Sequence, residues 1–257
     1  MAIVTNTFTK YSAVGLREDL SNIIYSISPQ TTPFVSNMTK KRNVTNTFYE
    51  WQTDSLASAA ANAQIDGDDL SSFTAVTATS RLGNYTQIMR KDFIIADNLN
   101  GTLDLAGRNS EISYQLAKKG NELKRDVELN LTGLNQAAVA GNNTTARKTA
   151  SLSAFLRTNT SRGSGGADPT VSSGVVNAAA TDGSARAITE ALLKTVLQSV
   201  WTEGGEPKMV LCGPHVKTVI SGFAGIAAQR YMAPSDSPTT IIGAADVYMS
   251  DFGSVQI

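Results

Sequence analysis

The chain has 257 residues, with 22 Lys and Arg against 22 Asp and Glu, so its formal net charge is 0. That balance excludes steering of the whole chain onto nucleic acid or an anionic membrane, and the length allows one large or two small domains. Charged residues make up only 17% of the chain, against about 25% in ordinary soluble domains. Thr, Ser, Asn, Ala and Gly fill the gap. A neutral surface of small polar groups suits close packing against neighbours better than free diffusion. The single cysteine, Cys212, excludes an internal disulfide. No charged start followed by an apolar run marks a secretion signal, and no apolar run reaches the ~18 residues that span a bilayer. Synthesis in a reducing cytosol is expected. Asn-x-Thr triplets such as Asn43-Val44-Thr45 are then chance in a Thr-rich chain.

Residues 1–46 do not read as a domain. Leu16, Leu20, Ile23, Ile24 and Ile27 make one short amphipathic piece, stopped by Pro29 and Pro33. Lys40, Lys41 and Arg42 form a small basic cluster: a solvated loop, or a contact with phosphate or a neighbour's carboxylates. Thr47 to Thr53 alternates with period two, placing Thr47, Tyr49, Trp51 and Thr53 on one face and Phe48, Glu50 and Gln52 on the other. A polar, Ala-rich loop follows, ending in Asp66-Gly67-Asp68-Asp69. A β-run is then predicted from Phe73 to about Lys91, including Tyr85 and Ile88. The outcome is a two-stranded ribbon with a mobile tip. An isolated hairpin is marginal in water, and ordering each residue costs roughly 1–2 kcal/mol. Arm and ribbon therefore need a surface to lie on, most simply that of sister copies.

Phe93 to Ile95 is apolar, and Asp97 to Gly107 is a turn-rich connection. The spacing of Ile112, Leu116, Leu123, Val127, Leu131 and Leu134 predicts one helix over Asn109 to Ala137, roughly 40 Å long, capped by Asn109 or Ser110. Gly141-Asn142-Asn143 is a turn and Leu152 to Leu156 a short apolar piece. Residues 151–185, above all Arg157 to Ala185, hold few large apolar side chains and read as a long exposed loop. Compact α/β patterning starts at Ile188. A helix stripe of Ile188, Leu192, Val196 and Val200 runs to Gly204-Gly205. Met209 to Leu211 reads as a buried strand, and Gly213-Pro214 opens a helix with Val216, Val219, Ile220 and Phe223 inward. Thr239 to Ile242, Asp246 to Ser250 and Ser254 to Ile257 read as short strands.

Chemistry-bearing patterns are sparse. His215 is the only histidine, and with Cys212 it makes half of a zinc site with no second half. Any Ser/His/Asp or Cys/His mechanism would have to use that same His215, and no Gly-x-Ser-x-Gly elbow is present. Gly163-Ser164-Gly165-Gly166 lacks the Lys-Ser/Thr of a phosphate cradle and reads as a flexible loop. Asp251-Phe252-Gly253 matches the kinase tripeptide by letters only. Asp66 to Asp69 lacks the spacing and closing Glu of a calcium loop. No catalytic residue, cofactor site or metal site is expected.

The order of arm, ribbon, long helix and compact α/β unit resembles the major capsid proteins of tailed double-stranded DNA phages, an α+β shell fold of the Hong Kong 97 type. The sequence is also similar to such a family in blocks across most of the chain: TKYSAVGLREDLSNIIYSISPQTTPFVS (Thr9 to Ser36), TFYEWQTDSL (Thr47 to Leu56), NYTQI (Asn84 to Ile88), ITEALLKTVLQSVW (Ile188 to Trp201), VLCGPHVKTVISGF (Val210 to Phe223) and TTIIGAADVYMSDFG (Thr239 to Gly253). The resemblance implies an N-terminal arm at 1–46 and an extended loop at 47–91 that overlaps the next subunit through Phe48, Tyr49, Trp51, Tyr85 and Ile88. It implies a peripheral domain at 92–150 with 109–137 as its spine helix, and a mainly axial domain at 151–257. It further implies pentamers and hexamers of an icosahedral virion shell, made in the bacterial host cytoplasm around packaged double-stranded DNA. Lys40, Lys41 and Arg42 are then candidate subunit or DNA contacts. Portal, scaffold and decoration proteins are possible partners, and a membrane is not. Relatives usually run past the position of Ile257 to return to the peripheral domain, so that return is expected to be missing. A cellular nanocompartment shell of the same fold is the nearest alternative. A small monomeric α/β enzyme built around His215 is the remote one.

Overall fold

The computed structural model describes residues 23–26, 31–39, 44–69, 72–101, 105–223 and 246–257. Helices and sheets are mixed, an α+β chain. It divides into two units, residues 1–32 with 90–126 and residues 33–89 with 127–257.

The first unit holds α2 (Asp97–Gly101), a tight turn closed by the Leu105–Arg108 bridge, and α3 (Glu111–Glu128), which crosses the division near its end. Ser110 caps α3 by accepting from the Ser113 N–H at 3.4 Å, and the Asn100 side chain accepts from the Ile112 N–H at 3.2 Å. Both satisfy first-turn donors that have no partner within the helix. Charged side chains lock the polar face. Lys119 meets Glu122 at 2.7 Å and Lys91 meets Asp126 at 2.7 Å. The Asp126 carboxylate raises the Lys91 ammonium above its ordinary range, and Lys119 holds Glu122 below its own. The apolar stripe of α3 is open at its start, where Ile112 and Leu116 are exposed.

The predicted helix over Asn109 to Ala137 is therefore too long. Regular α structure stops at Glu128, a π-turn covers Leu129–Gly133, and the chain leaves the helix at Leu134. Bonds from elsewhere pull it out. Asn135, at φ 44°, donates its side-chain N–H to the Ala180 carbonyl at 2.6 Å and accepts from the Ser153 hydroxyl at 2.8 Å. Leu134 fits the periodicity, but the tertiary bonds decide where the helix ends.

The second unit opens with the short α1 (Pro33–Asn37) and holds a sheet of order β1-β2-β4-β3. Strands β1 (Phe48–Thr53) and β2 (Ser80–Tyr85) are antiparallel, from Phe48 opposite Tyr85 to Thr53 opposite Ser80. The run predicted from Phe73 to Lys91 forms a strand only over Ser80–Tyr85, where β1 offers six ladder partners, with one further bond from the Thr86 N–H to the Thr47 carbonyl at 2.9 Å. Thr and Val favour extended backbone, but β propensity without a ladder partner does not make a strand.

Residues 151–185 are not an exposed loop. They hold a 3₁₀ turn at Leu152–Phe155 and a hairpin of β3 (Thr170–Ser172) and β4 (Val175–Ala178). Val176 is 0% exposed and packs with buried Ala150 and Ala154. Ser151 is buried beside them. This small core is made largely of small side chains, so a search for large apolar residues passes over it. The hairpin loop is Ser173-Gly174, both at positive φ, the turn whose twist matches the flanking strands. The glycine-rich loop is also not free. A Cβ at Gly163 would sit 2.2 Å from the Ser184 carbonyl oxygen, and one at Gly183 would sit 2.2 Å from that of Gly163. The glycines let two backbones cross.

The rest of the unit is the compact α/β part. Helix α4 (Glu190–Thr202) is capped by Thr189, and α5 (Pro214–Ser221) begins at its tolerated proline. Strands β5 (Val247–Ser250) and β6 (Gly253–Gln256) form a hairpin whose turn is Asp251-Phe252. Leu197, Ile220, Phe223, Tyr248 and Val255 are the buried core. The segment Met209 to Leu211 is not a buried strand. It makes one parallel bridge, Met209 to Gln256, with Met209 and Leu211 exposed and Val210 and Cys212 against the core. Within the short amphipathic piece from Leu16 to Ile27, Ile23 to Ser26 carry no regular structure, and its other residues lie outside the described ones, as does Thr239 to Ile242.

Candidate assembly surface

The ribbon is built from two faces with different duties. On one, Phe48 packs at a tilt against Tyr85 with ring centroids 4.7 Å apart. Gly83 lies diagonally beneath the Phe48 ring, where a Cβ would approach Phe48 Cζ to 2.3 Å. Arg81 pairs with Glu50 on the same face. On the other face, Tyr49 leans on Trp51 at 6.2 Å, and Trp51 on Phe155 at 5.6 Å. That face is seated on the segment after the helix. The Ala150 N–H donates to Asn84 Oδ1 at 2.8 Å, and Asn84 Nδ2 donates to the Ala150 carbonyl at 3.2 Å, as a strand neighbour would.

Below the ladder, amides continue the seat. Gln87 Oε1 accepts from the Thr149 N–H and from Gln136 Nε2, each at 3.1 Å, and Gln87 Nε2 donates to Asn130 Oδ1 at 3.1 Å. Gln136 Nε2 also donates to the Thr149 carbonyl at 2.7 Å. Sequence reasoning missed this cluster, because lone Asn and Gln residues in a polar chain carry no periodicity. The Gly83 N–H meets the Gly174 carbonyl at 2.8 Å, joining the ribbon to β4. The ribbon's base is thus fixed.

Its tip is not. Between Thr53 and Ser80 every described residue is exposed, and only the turn at Asp66-Gly67 has local structure. Leu56 is 99% exposed, and Ile65, Phe73 and Val76 are nearly as open.

Of the ribbon residues expected from the sequence, Phe48 with Tyr85 and Tyr49 with Trp51 come together on the two faces. Ile88 does not join them. It lies past the end of β2 and is 81% exposed. Lys40, Lys41 and Arg42 lie outside the described residues. His215 is exposed on α5 while Cys212 packs against the core. Among the described residues there is no cluster of three or more His, Cys, Asp or Glu side chains suited to a metal. No described helix is long and apolar enough to cross a membrane.

A family model described as the SU10 major capsid protein matches residues 3–257. The major capsid protein of Escherichia phage Phieco32 is 42% identical over 122 residues, a match that covers 47% of this chain and 34% of that protein. The chain thus spans about a third of that relative's length.

Proposed function

The chain belongs to the SU10 major capsid protein family, and from that premise we propose that it is a structural subunit of a phage head, not an enzyme. Many copies close into an icosahedral shell of hexamers and pentamers around double-stranded DNA. The fold is read as the Hong Kong 97 type. Residues 1–46 serve as the arm, 47–91 as the extended loop, 92–150 as the peripheral domain with the long helix as its spine, and 151–257 as mainly the axial domain. The subunit is made in the host cytoplasm and ends in the virion. Portal, scaffold and decoration proteins are its further partners. Lys40, Lys41 and Arg42 are candidate DNA or subunit contacts, since phosphate binding follows local basic residues when the net charge is 0.

One observation carries the reading. A fixed ribbon holds out a tip whose Leu56, Ile65, Phe73 and Val76 are all uncovered. Burying such a side chain is worth about 1.5–3 kcal/mol. Four together repay the ordering of a short segment only if a surface is supplied, and copies of the same chain supply one at every position of a shell. Electron microscopy of the expressed protein tests this: closed particles or capsomers are expected. A compact monomer at every concentration and salt would overturn it.

A further inference from the structure

Glu128 is the last α-helical residue of α3, and its side chain is committed far away in sequence. Its Oε1 accepts from the Phe34 N–H and its Oε2 from the Val35 N–H, both at 2.8 Å. These are first-turn donors of α1, which the short helix cannot satisfy itself. Charge-assisted bonds of this kind are about twice as strong as neutral ones. Val35 is buried beside them. The carboxylate therefore anchors the start of α1.

The next residues form the π-turn. The Leu134 N–H donates to the Leu129 carbonyl at 3.0 Å, one residue further back than α geometry would give. The Thr132 hydroxyl donates to the Glu128 carbonyl at 2.8 Å. Just beyond, Asn135 and Gln136 are fixed by Ala180, Ser153, Gln87 and Thr149. The π-turn thus lies between two fixed points, Glu128 and the amide cluster. A single extra residue between fixed points is what a π-turn absorbs.

We infer that Glu128 is a coupling residue: it ties the position of α1 to the α-to-π transition at the end of α3. With the anchor closed, the π-turn is kept. With α1 displaced, the segment is free to rewind to α geometry, turning every residue after it by one position. Under the assembly reading α1 lies in the arm, so movement of the arm would reach the ribbon's seat by this route. The coupling itself does not depend on that reading and is tested on unassembled subunits.

The variant is Glu128→Gln, which keeps the volume but points an N–H₂ at a backbone N–H. Hydrogen exchange at Phe34 and Val35 should quicken at least about tenfold, with Ile220 and Val255 unchanged as folding controls. A structure of the variant should show the Leu134 N–H moved to the Asn130 carbonyl. Unchanged exchange at Phe34 and Val35 would overturn the anchor. Release of α1 with Leu134 still bonded to Leu129 would overturn the coupling. If the variant loses protection at Ile220 and Val255 as well, the wild-type chain decides. Phe34 and Val35 amides exchanging as fast as those of Leu56 to Ile65 would exclude any anchor. Failure of the wild type to form shells would count against the assembly reading and leave this inference standing.

Discussion

The hydrogen of Gly83 is the only substituent that fits under the Phe48 ring, because a Cβ there would come within 2.3 Å of Phe48 Cζ. The ring cannot swing away freely, since it packs against Tyr85 at 4.7 Å. Gly83→Ala should therefore cost about 1–3 kcal/mol, the usual scale of overpacking, read from urea unfolding. In a Phe48→Ala background the same change should cost well under half as much, because the pair shares one space. Equal costs in both backgrounds would mean that the backbone pairing of Gly83 with Gly174, not the ring, sets the requirement. Asn84 acts at the same scale. Its side chain satisfies both polar groups of buried Ala150, so Asn84→Ala should cost about 1–3 kcal/mol by leaving them without partners.

Helix α4 and strand β5 are tied by one side-chain bond: the Tyr248 hydroxyl donates to Glu190 Oε1 at 3.0 Å, and Lys194 Nζ lies 2.9 Å from the same oxygen. Lys194 first, and then Tyr248, hold the Glu190 carboxyl below its ordinary value of 4.5. A depressed carboxyl pKa contributes stability that is complete above the unfolded value and lost as pH falls through the folded one. Acid below pH 4.5 should therefore loosen this contact, and Glu190→Gln should lose less melting temperature between neutral pH and that range than the wild type does. An identical acid limb in both proteins would mean the bond contributes nothing. Glu190 also marks how much of the molecule could be read in advance. The stripe of α4 and the Pro214 start of α5 are local signals; α5 begins at Pro214, and Leu192, Val196 and Val200 lie in α4 while Ile188 precedes its Thr189 cap. Strand β1 also lies where the period-two pattern places it, beginning at Phe48 instead of Thr47. The failures share another cause. The end of α3, the early stop of β2 and the buried β4 hairpin are set by partners distant in sequence: Ala180 and Ser153 for Asn135, the six residues of β1 for β2, and Ala150 with Ala154 for Val176. Periodicity carries no information about partners. Tyr49 and Trp51 share a face that the alternation of β1 shows, whereas the meeting of Phe48 with Tyr85 across two strands and the amide seat beneath them depend on partners distant in sequence.

For the molecule as a whole, the proposed assembly role of the ribbon tip implies that stability and assembly depend on different residues. The core around Ile220 and Val255 and the smaller one around Val176 involve no tip residue. The tip side chains Leu56, Phe73 and Val76 meet solvent over most of their surface. Exposed positions away from caps and special backbone change stability by no more than about 0.5 kcal/mol. Replacing all three by Ser should therefore leave the unfolding midpoint of the isolated subunit where it is, with the far-ultraviolet helical signal intact. Assembly should respond differently. If each side chain is buried on a neighbouring copy, the triple variant forfeits about 1.5–3 kcal/mol per residue at every subunit contact, and the loss recurs around each ring of copies. Closed particles should disappear at concentrations where the wild type forms them, as counted by electron microscopy and sedimentation. Normal particles from the triple variant would mean that the tip rests on no apolar surface in the shell. A lowered midpoint in the isolated subunit would mean instead that the tip folds onto its own chain, and the division of labour argued here would fail at its first step.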